Sequence, residues 1–573
     1  MKKVLSLLLA TVMMSGILTG CATYQDDNSA TSTAPSATEK TTTDNGDAEG
    51  SETQPISASS DFTMAYNGIV TLNPIMSQSS NDHNIFYLTQ LELIRYYGDE
   101  ILYDGAESYE ISDDSTVYTF HLRDGLVWSD GAPITADDFA YSFYCMLTPE
   151  MGSPVANSWF AIKNAAAYNR EEITDWEQVG VKAIDEKTLE ITMEYPLGSF
   201  DKTIAVKGLY PLRKDFVEKV GADKLGSSVD TMLYSGPYII TDWVLESSME
   251  LVKNDAYWDS ANSFPTSNMH FVEVKDINTK VAMFESGEVD AVEQISSQYY
   301  DYLKDYLYTK TGGGIMFLWF NQKGTNEEAA KLLSNLNFRQ ALNYGFDRES
   351  TVNAVNSEDK PYNRLVDSNF VTDSGAKIVD EYPVNGAPLK GDTAKAKEYL
   401  DKAIEELGYS DVSQLPPLNL VTWDAPAQKL LLETMIDQWK QNLGIANIQL
   451  NQYVIGTAIG AFYSLDYDLF CITWETDVLP TDIMEAFATG GEVNYGIWKN
   501  EQYDALIAQA MAELDPAKKA QLTQQAEQTF VDDAPVLPLY ETSVTSAVQS
   551  YISGFQMSGI SSGYQFNHLV VNK

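Results

Sequence analysis

Histidine, cysteine and basic side chains are all scarce in this 573-residue chain. His83, His121, His270 and His568, and Cys21, Cys145 and Cys471, lie far apart with no pair at a zinc-ligand spacing. Neither a local metal motif nor a disulfide framework is visible. Lys and Arg number 37 against 82 Asp and Glu, a net charge of −45. Such a field repels phosphate backbones and anionic membrane surfaces, which tells against nucleic acid as a partner. Long apolar runs are lacking too: the stretch 4–18 falls short of the roughly 20 helical residues that span a bilayer.

What is present begins with that stretch. Lys2 and Lys3 precede it, as in a secretory signal, and it ends in Leu18-Thr19-Gly20-Cys21. This tetrapeptide resembles the bacterial lipobox, which implies a diacylglycerol on Cys21 and cleavage just before it. Residues 22–60 hold fifteen Ser or Thr and almost no large apolar side chain, so they cannot bury enough surface to offset chain entropy. A flexible tether is expected there. The whole chain is 44% hydrophobic and 21% charged, enough for two or three domains in a body that starts near Asp61.

Local patterns in the body alternate between strand and helix. Tyr118, Phe120 and Leu122 alternate with polar residues as in a half-buried strand; Asp130-Gly131 marks a turn, and Thr135 to Asp138 has the capping-box layout ahead of Phe139, Phe143, Met146 and Leu147. Residues 179–195 read as a hairpin turning at Asp185-Glu186-Lys187. Two amphipathic stripes end at Gly408 and Gly444, and Asp515-Pro516 opens a helix through Phe530. Tyr467 to Trp474 is nearly continuous in apolar residues, as suits a strand covered on both faces. Gly312-Gly313-Gly314 lacks the Lys-Ser/Thr of a phosphate loop and reads as a flexible turn before a strand at Ile315 to Phe320.

No catalytic constellation emerges. Gly559-Ile560-Ser561-Ser562-Gly563 matches the nucleophile-elbow pattern, but no acid follows it and His568 alone cannot complete a triad. The expectation is a protein that is not an enzyme and carries no cofactor or metal.

The segment YTFHLRDGLVWSDGAPITADDFAYSF at Tyr118 to Phe143 resembles that shared by family 5 extracellular solute-binding proteins of bacterial ABC importers. VGVKAIDEKTLEITMEYP at 179–196, SGPYIITDW at 235–243, KNDAYWD at 253–259 and FESGEVDAV at 284–292 follow in family order. NFRQALNYGFDRE at 337–349, YDLFCITWETD at 467–477 and YDALI at 503–507 continue it, so the resemblance spans 61–573. It implies an α/β, two-lobed periplasmic-binding-protein (Venus flytrap) fold with an extra domain on the first lobe. Carried onto this chain, the first lobe comprises 61–97, 230–325 and 537–573, the extra domain 98–229 and the second lobe 326–536, with hinges near 320–330 and 532–540.

The same resemblance implies a lipid-anchored, monomeric receptor on the extracytoplasmic face of the cell membrane, handing oligopeptides to ABC permease subunits. Asp477 would accept the peptide's α-ammonium, with Trp474 beside the peptide or in the core and Tyr453 at a pocket position. Two departures stand out: Cys471 replaces an Arg that often meets the peptide carboxylate, and Leu91 to Tyr96 replaces the usual YEGL segment. A saccharide, a nickel chelate or a peptide-sensing role stays open as an alternative.

Overall fold

The computed structural model describes residues 61–573 apart from 78, 98–99, 373–375, 476–478, 492, 495–497 and 558–562. The expected signal segment, Cys21, the tether and Asp477 lie outside the described residues. Among those described, no helix is long and apolar enough to cross a membrane.

One large sheet organises the body. In chain order its strands are β1 (Asp61–Tyr66), β2 (Tyr238–Val244), β3 (Ser248–Lys253), β4 (Asn268–Glu273), β5 (Ala291–Val292) and β6 (Leu307–Phe320), then β7 (Lys360–Pro361), β8 (Leu418–Trp423), β9 (Ile448–Tyr453), β10 (Leu469–Glu475) and β11 (Val536–Val548). The spatial order is β9-β8-β10-β6-β11-β5-β1-β4-β3-β2, with β7 pairing to β11 off this path. The long strands β6 and β11 pair antiparallel at the middle. On one side of them β8 runs parallel to β9 and β10; on the other β1 runs parallel to β4 and β5. The fold is thus two α/β lobes joined by two crossing strands.

The extra domain packs onto the first lobe. Its four-stranded antiparallel sheet holds Val117–Leu122 between Ala106–Ile111 and Thr188–Thr192, with Val181–Asp185 outermost. Tyr118, Phe120 and Leu122 alternate inward as expected, onto Phe139 and Phe143 of α1 (Ala136–Leu147). The Asp138 carboxylate accepts the Thr135 N–H at 2.9 Å, closing the capping box. Further on, α2 (Phe200–Lys207) completes this layer, and a single apolar core runs from Phe62 through these residues to Val571.

In the second lobe α3 (Thr393–Leu407), α4 (Pro426–Leu443), α5 (Pro480–Phe487) and α6 (Pro516–Asp533) sandwich the sheet. The period of two along each strand divides the core. Met316, Leu318, Phe320, Leu469 and Cys471 face α3 and α4, while Ile315, Phe317, Trp319 and Phe470 face α5 and α6. That explains the continuous apolar run in β10. Gly408 and Gly444 end α3 and α4 with φ of +78° and +74°, the left-handed geometry that favours glycine.

Gly312-Gly313-Gly314 is not a turn ahead of a strand; it lies inside β6. The register jumps from Thr311 opposite Ser543 to Ile315 opposite Glu541, so β6 bulges here, with φ of +110° at Gly312 and +82° at Gly313. A second shift places Met316 opposite Tyr540 and Phe317 opposite Pro538. Of the segments where hinges are expected, 320–330 holds Phe320 at the end of β6, a loop and the start of the helix Glu327–Leu333, and 532–540 holds the start of β11, whose Val536, Leu537, Leu539 and Tyr540 are buried in the second-lobe core.

Candidate ligand-binding site

Parallel strands in matched register bring their carboxyl ends to one edge, which is where crevices open in α/β sheets. Here Trp423 of β8 pairs with Tyr453 of β9, and Val421 pairs with Phe470 of β10, whose end carries Trp474. Trp474 is half-buried and packs against the core that contains Ile315 and Phe317; Ile315 is its register partner on β6. Tyr453 is 40% exposed, the kind of aromatic surface a ligand can cover. The structure therefore gathers Trp474 and Tyr453 on one edge, with Trp423 between their strands. Sequence reasoning missed Trp423, whose one signal was its place at the end of an apolar segment.

Position 471 faces the opposite way. Cys471 is fully buried among Leu469, Met316 and Leu318, and burial pushes its thiol pKa up. No side chain from this position reaches the strand ends.

A polar network surrounds the bulge of β6, one residue from the Ile315–Trp474 pair. Gly313 N–H donates to the Asp367 carboxylate at 2.9 Å, and the Asn369 amide donates to the Thr311 carbonyl at 2.7 Å. Buried Glu541 of β11 accepts from Ser368 N–H at 2.6 Å and from the Ser368 hydroxyl at 2.7 Å, and pairs with the Lys360 ammonium at 3.0 Å. Burial, reinforced by the charge of Asp367, holds the Glu541 carboxyl above its ordinary pKa. Segment 359–369 is thereby stitched to both crossing strands, since Asp359 also accepts from Ser543 N–H at 2.8 Å.

Among the described residues no group of three His, Cys, Asp or Glu could hold a metal ion. His83 is half-buried against Tyr210, and desolvation by the surrounding protein lowers its pKa to about 4, so it is neutral at physiological pH. His270 pairs with Glu250 on neighbouring strands. Residues 558–562, which hold most of the nucleophile-elbow pattern, are outside the described set.

Two lobes on a pair of crossing strands, with aromatic strand ends beside the crossing, define a solute-binding protein of the flytrap class. The family described as bacterial extracellular solute-binding proteins, family 5, matches residues 100–495, and the chain belongs to that family. The oligopeptide-binding protein OppA of Bacillus subtilis is 30% identical over 505 residues, covering 86% of this chain and 89% of that one. The dipeptide-binding protein DppE of the same organism is 30% identical over 446 residues, 76% of this chain and 78% of its own. Among solved structures, the substrate-binding domain of an oligopeptide ABC transporter from Bacillus anthracis superposes with a TM-score of 0.72 at 26% identity, covering 91% of this chain and all of that one. Listeria monocytogenes OppA bound to peptide gives a TM-score of 0.71 at 25% identity, covering 90% and 99%.

Proposed function

We propose that this chain is a non-enzymatic receptor that captures oligopeptides between its lobes and hands them to an ABC importer, held on the extracytoplasmic face of the membrane through lipidated Cys21 and the tether at 22–60. The lobes divide at the crossing strands, and peptide closes them as a hinge. The observation that carries this reading is the shared edge of Trp423, Tyr453 and Trp474, with Asp477 three residues beyond the end-strand tryptophan. Oligopeptide- and dipeptide-binding relatives support the ligand class. Asp477 would accept the peptide α-ammonium as a charge-assisted partner, with Trp474 and Tyr453 covering the first side chains. Absence of an arginine at position 471 argues against a fixed peptide length.

Calorimetry on a four-member cycle tests this. If Asp477 and the ammonium meet in a closed cleft, removing either leaves the other buried without a partner, costing about 3 to 5 kcal/mol, or roughly a hundred-fold or more in affinity. Acetylating the peptide should cripple binding to wild type and matter far less in Asp477→Asn. Additive losses, or a wild type indifferent to acetylation, would remove Asp477 from the site.

A further inference from the structure

A cavity of about 400 Å³ lies between α2 of the extra domain and α5 and α6 of the second lobe, within the size range of small-molecule sites. Apolar side chains wall it: Val371, Ile378, Leu514, Pro480 and Pro516. Two ammonium groups on its lining have no partner among the described residues. Lys202 of α2 and Lys519 of α6 have ammonium groups with neither a hydrogen bond nor an ion pair to any described residue. In a chain with net charge −45, two lysines sharing one cavity unpaired run against the composition.

The carboxylates of the same cavity make neither a hydrogen bond nor an ion pair to either lysine. Glu381 accepts from the Thr372 hydroxyl at 2.6 Å. Glu513 is paired with Lys518 and accepts the Leu514 and Asp515 N–H groups at 3.1 Å. Burial holds the Lys519 ammonium below the ordinary lysine range, and Lys202 opposes its charge further while Asp482 and Glu513 favour it. Ammonium groups only donate, so the two want an acceptor with negative charge. The walls want hydrocarbon.

We infer that this cavity binds the carboxylate of an apolar molecule, held by Lys202 and Lys519 and therefore bridging the extra domain and the second lobe. That carboxylate has two sources: a free medium-chain acid, or the carboxyl end of a bound apolar peptide. The cavity lining includes Leu479, two residues beyond Asp477. Only the second source rests on the peptide reading above.

Titration calorimetry on the full chain separates them. Octanoate should bind saturably, octan-1-ol and acetate far less, and Lys202→Met and Lys519→Met should each weaken octanoate at least ten-fold while Lys519→Arg retains it. In parallel, one apolar oligopeptide is compared with its C-terminal amide. Amidation that weakens binding to wild type but not to Lys519→Met assigns the site to the peptide's carboxyl end; indifference to amidation with octanoate bound through the lysines assigns it to a free acid. The octanoate arm needs no peptide, so it stands or falls apart from the peptide function. Octanoate binding that is absent from wild type, or equal in wild type and both Met variants, together with an amidation effect that is nil or unchanged in Lys519→Met, overturns the inference.

Discussion

Removing the Glu527 carboxylate should be among the most damaging single changes in the second lobe. Glu527 is 1% exposed on α6 and gathers four donors: Arg364 Nε at 3.2 Å, Arg364 Nη2 at 2.5 Å, and the backbone N–H groups of Leu365 at 2.9 Å and Val366 at 3.0 Å. Arg364 is itself buried and spends its remaining donors on the carbonyls of Val379 at 2.8 Å and Tyr382 at 3.0 Å. In Glu527→Met the guanidinium stays buried with neutral acceptors alone, and two backbone N–H groups lose their partner. An uncompensated buried charge costs about 3 to 5 kcal/mol, and an orphaned N–H about 1 to 3, though the two overlap because relaxation that wets one wets the other. A loss of about 4 kcal/mol is expected. The second mutation in Arg364→Met/Glu527→Met removes the stranded charge, so the double variant should be more stable than Glu527→Met alone, with a coupling of about 2 kcal/mol. Urea titration followed by tryptophan fluorescence on the four proteins measures it. A Glu527→Met protein as stable as wild type, or a double variant whose loss equals the sum of the singles, would refute the reasoning.

Two further outcomes follow from buried groups elsewhere. Burial lifts the Glu293 carboxyl from 4.5 to about 7, against the charge of Lys280 and the Asn67 N–H. Because the folded pKa is the higher one, the native state holds this proton more tightly; the resulting stability is present below pH 4.5 and is lost as pH rises to about 7. Glu293→Gln should accordingly gain on wild type between pH 5 and pH 8, by up to about 3 kcal/mol, in paired melting experiments; a constant difference across that window rejects it. Gly312→Ala forces a Cβ into positive φ and to within 1.8 Å of the Asn369 amide. It should lower stability by about 1 to 3 kcal/mol, with Asn369→Gly restoring only the part due to overlap, and full rescue would show that φ is not the constraint.

How much was legible depends on how local the determinant is. The capping box at Thr135 and Asp138, the hairpin around Asp185 and the glycine ends of α3 and α4 rest on residues within a few positions of each other, and each stands as read. The continuous apolar run likewise sufficed for β10, because both faces of that strand are covered by core and successive residues must all be apolar. The glycine triplet was misread for the converse reason. Whether Gly312 to Gly314 turn or bulge is decided by β10 and β11, which come from more than 150 residues downstream and pair on either side of β6. Trp474 and Tyr453 could be named from sequence, but their common edge needs the parallel pairing of β8 with both neighbours. Nothing in the sequence set Lys202 and Lys519 apart, since each sits in an ordinary amphipathic helix and only the packing of two domains makes them neighbours.

Buried arginines tie the entry of β11 to the second lobe. Arg339 donates to the carbonyls of Ala534 at 2.9 Å, Asp533 at 2.8 Å and Leu333 at 2.9 Å. Arg348, fully buried, donates to Pro538 at 3.0 Å and to Asn343 at 3.1 Å. Burial lowers their pKa values to about 10 and about 9, so both remain charged at neutral pH. A guanidinium presents five donors in a rigid fork, and here the forks grip main-chain carbonyls, which fixes the backbone whatever the side chains do. The entry of β11 is thereby locked to the second lobe through Pro538. On β6, Ile315 to Phe320 are likewise buried in that lobe. A rotation of the lobes that keeps these bonds must therefore be taken up beyond them, where the register slips between Thr311 and Ile315 opposite Glu541 to Ser543, and where two glycines in left-handed φ space leave the ladder already broken. The network of Asp367, Ser368 and Asn369 sits on that same stretch, so whatever alters its bonds to Gly313, Thr311 or Glu541 acts directly on the crossing rather than at a distance from it.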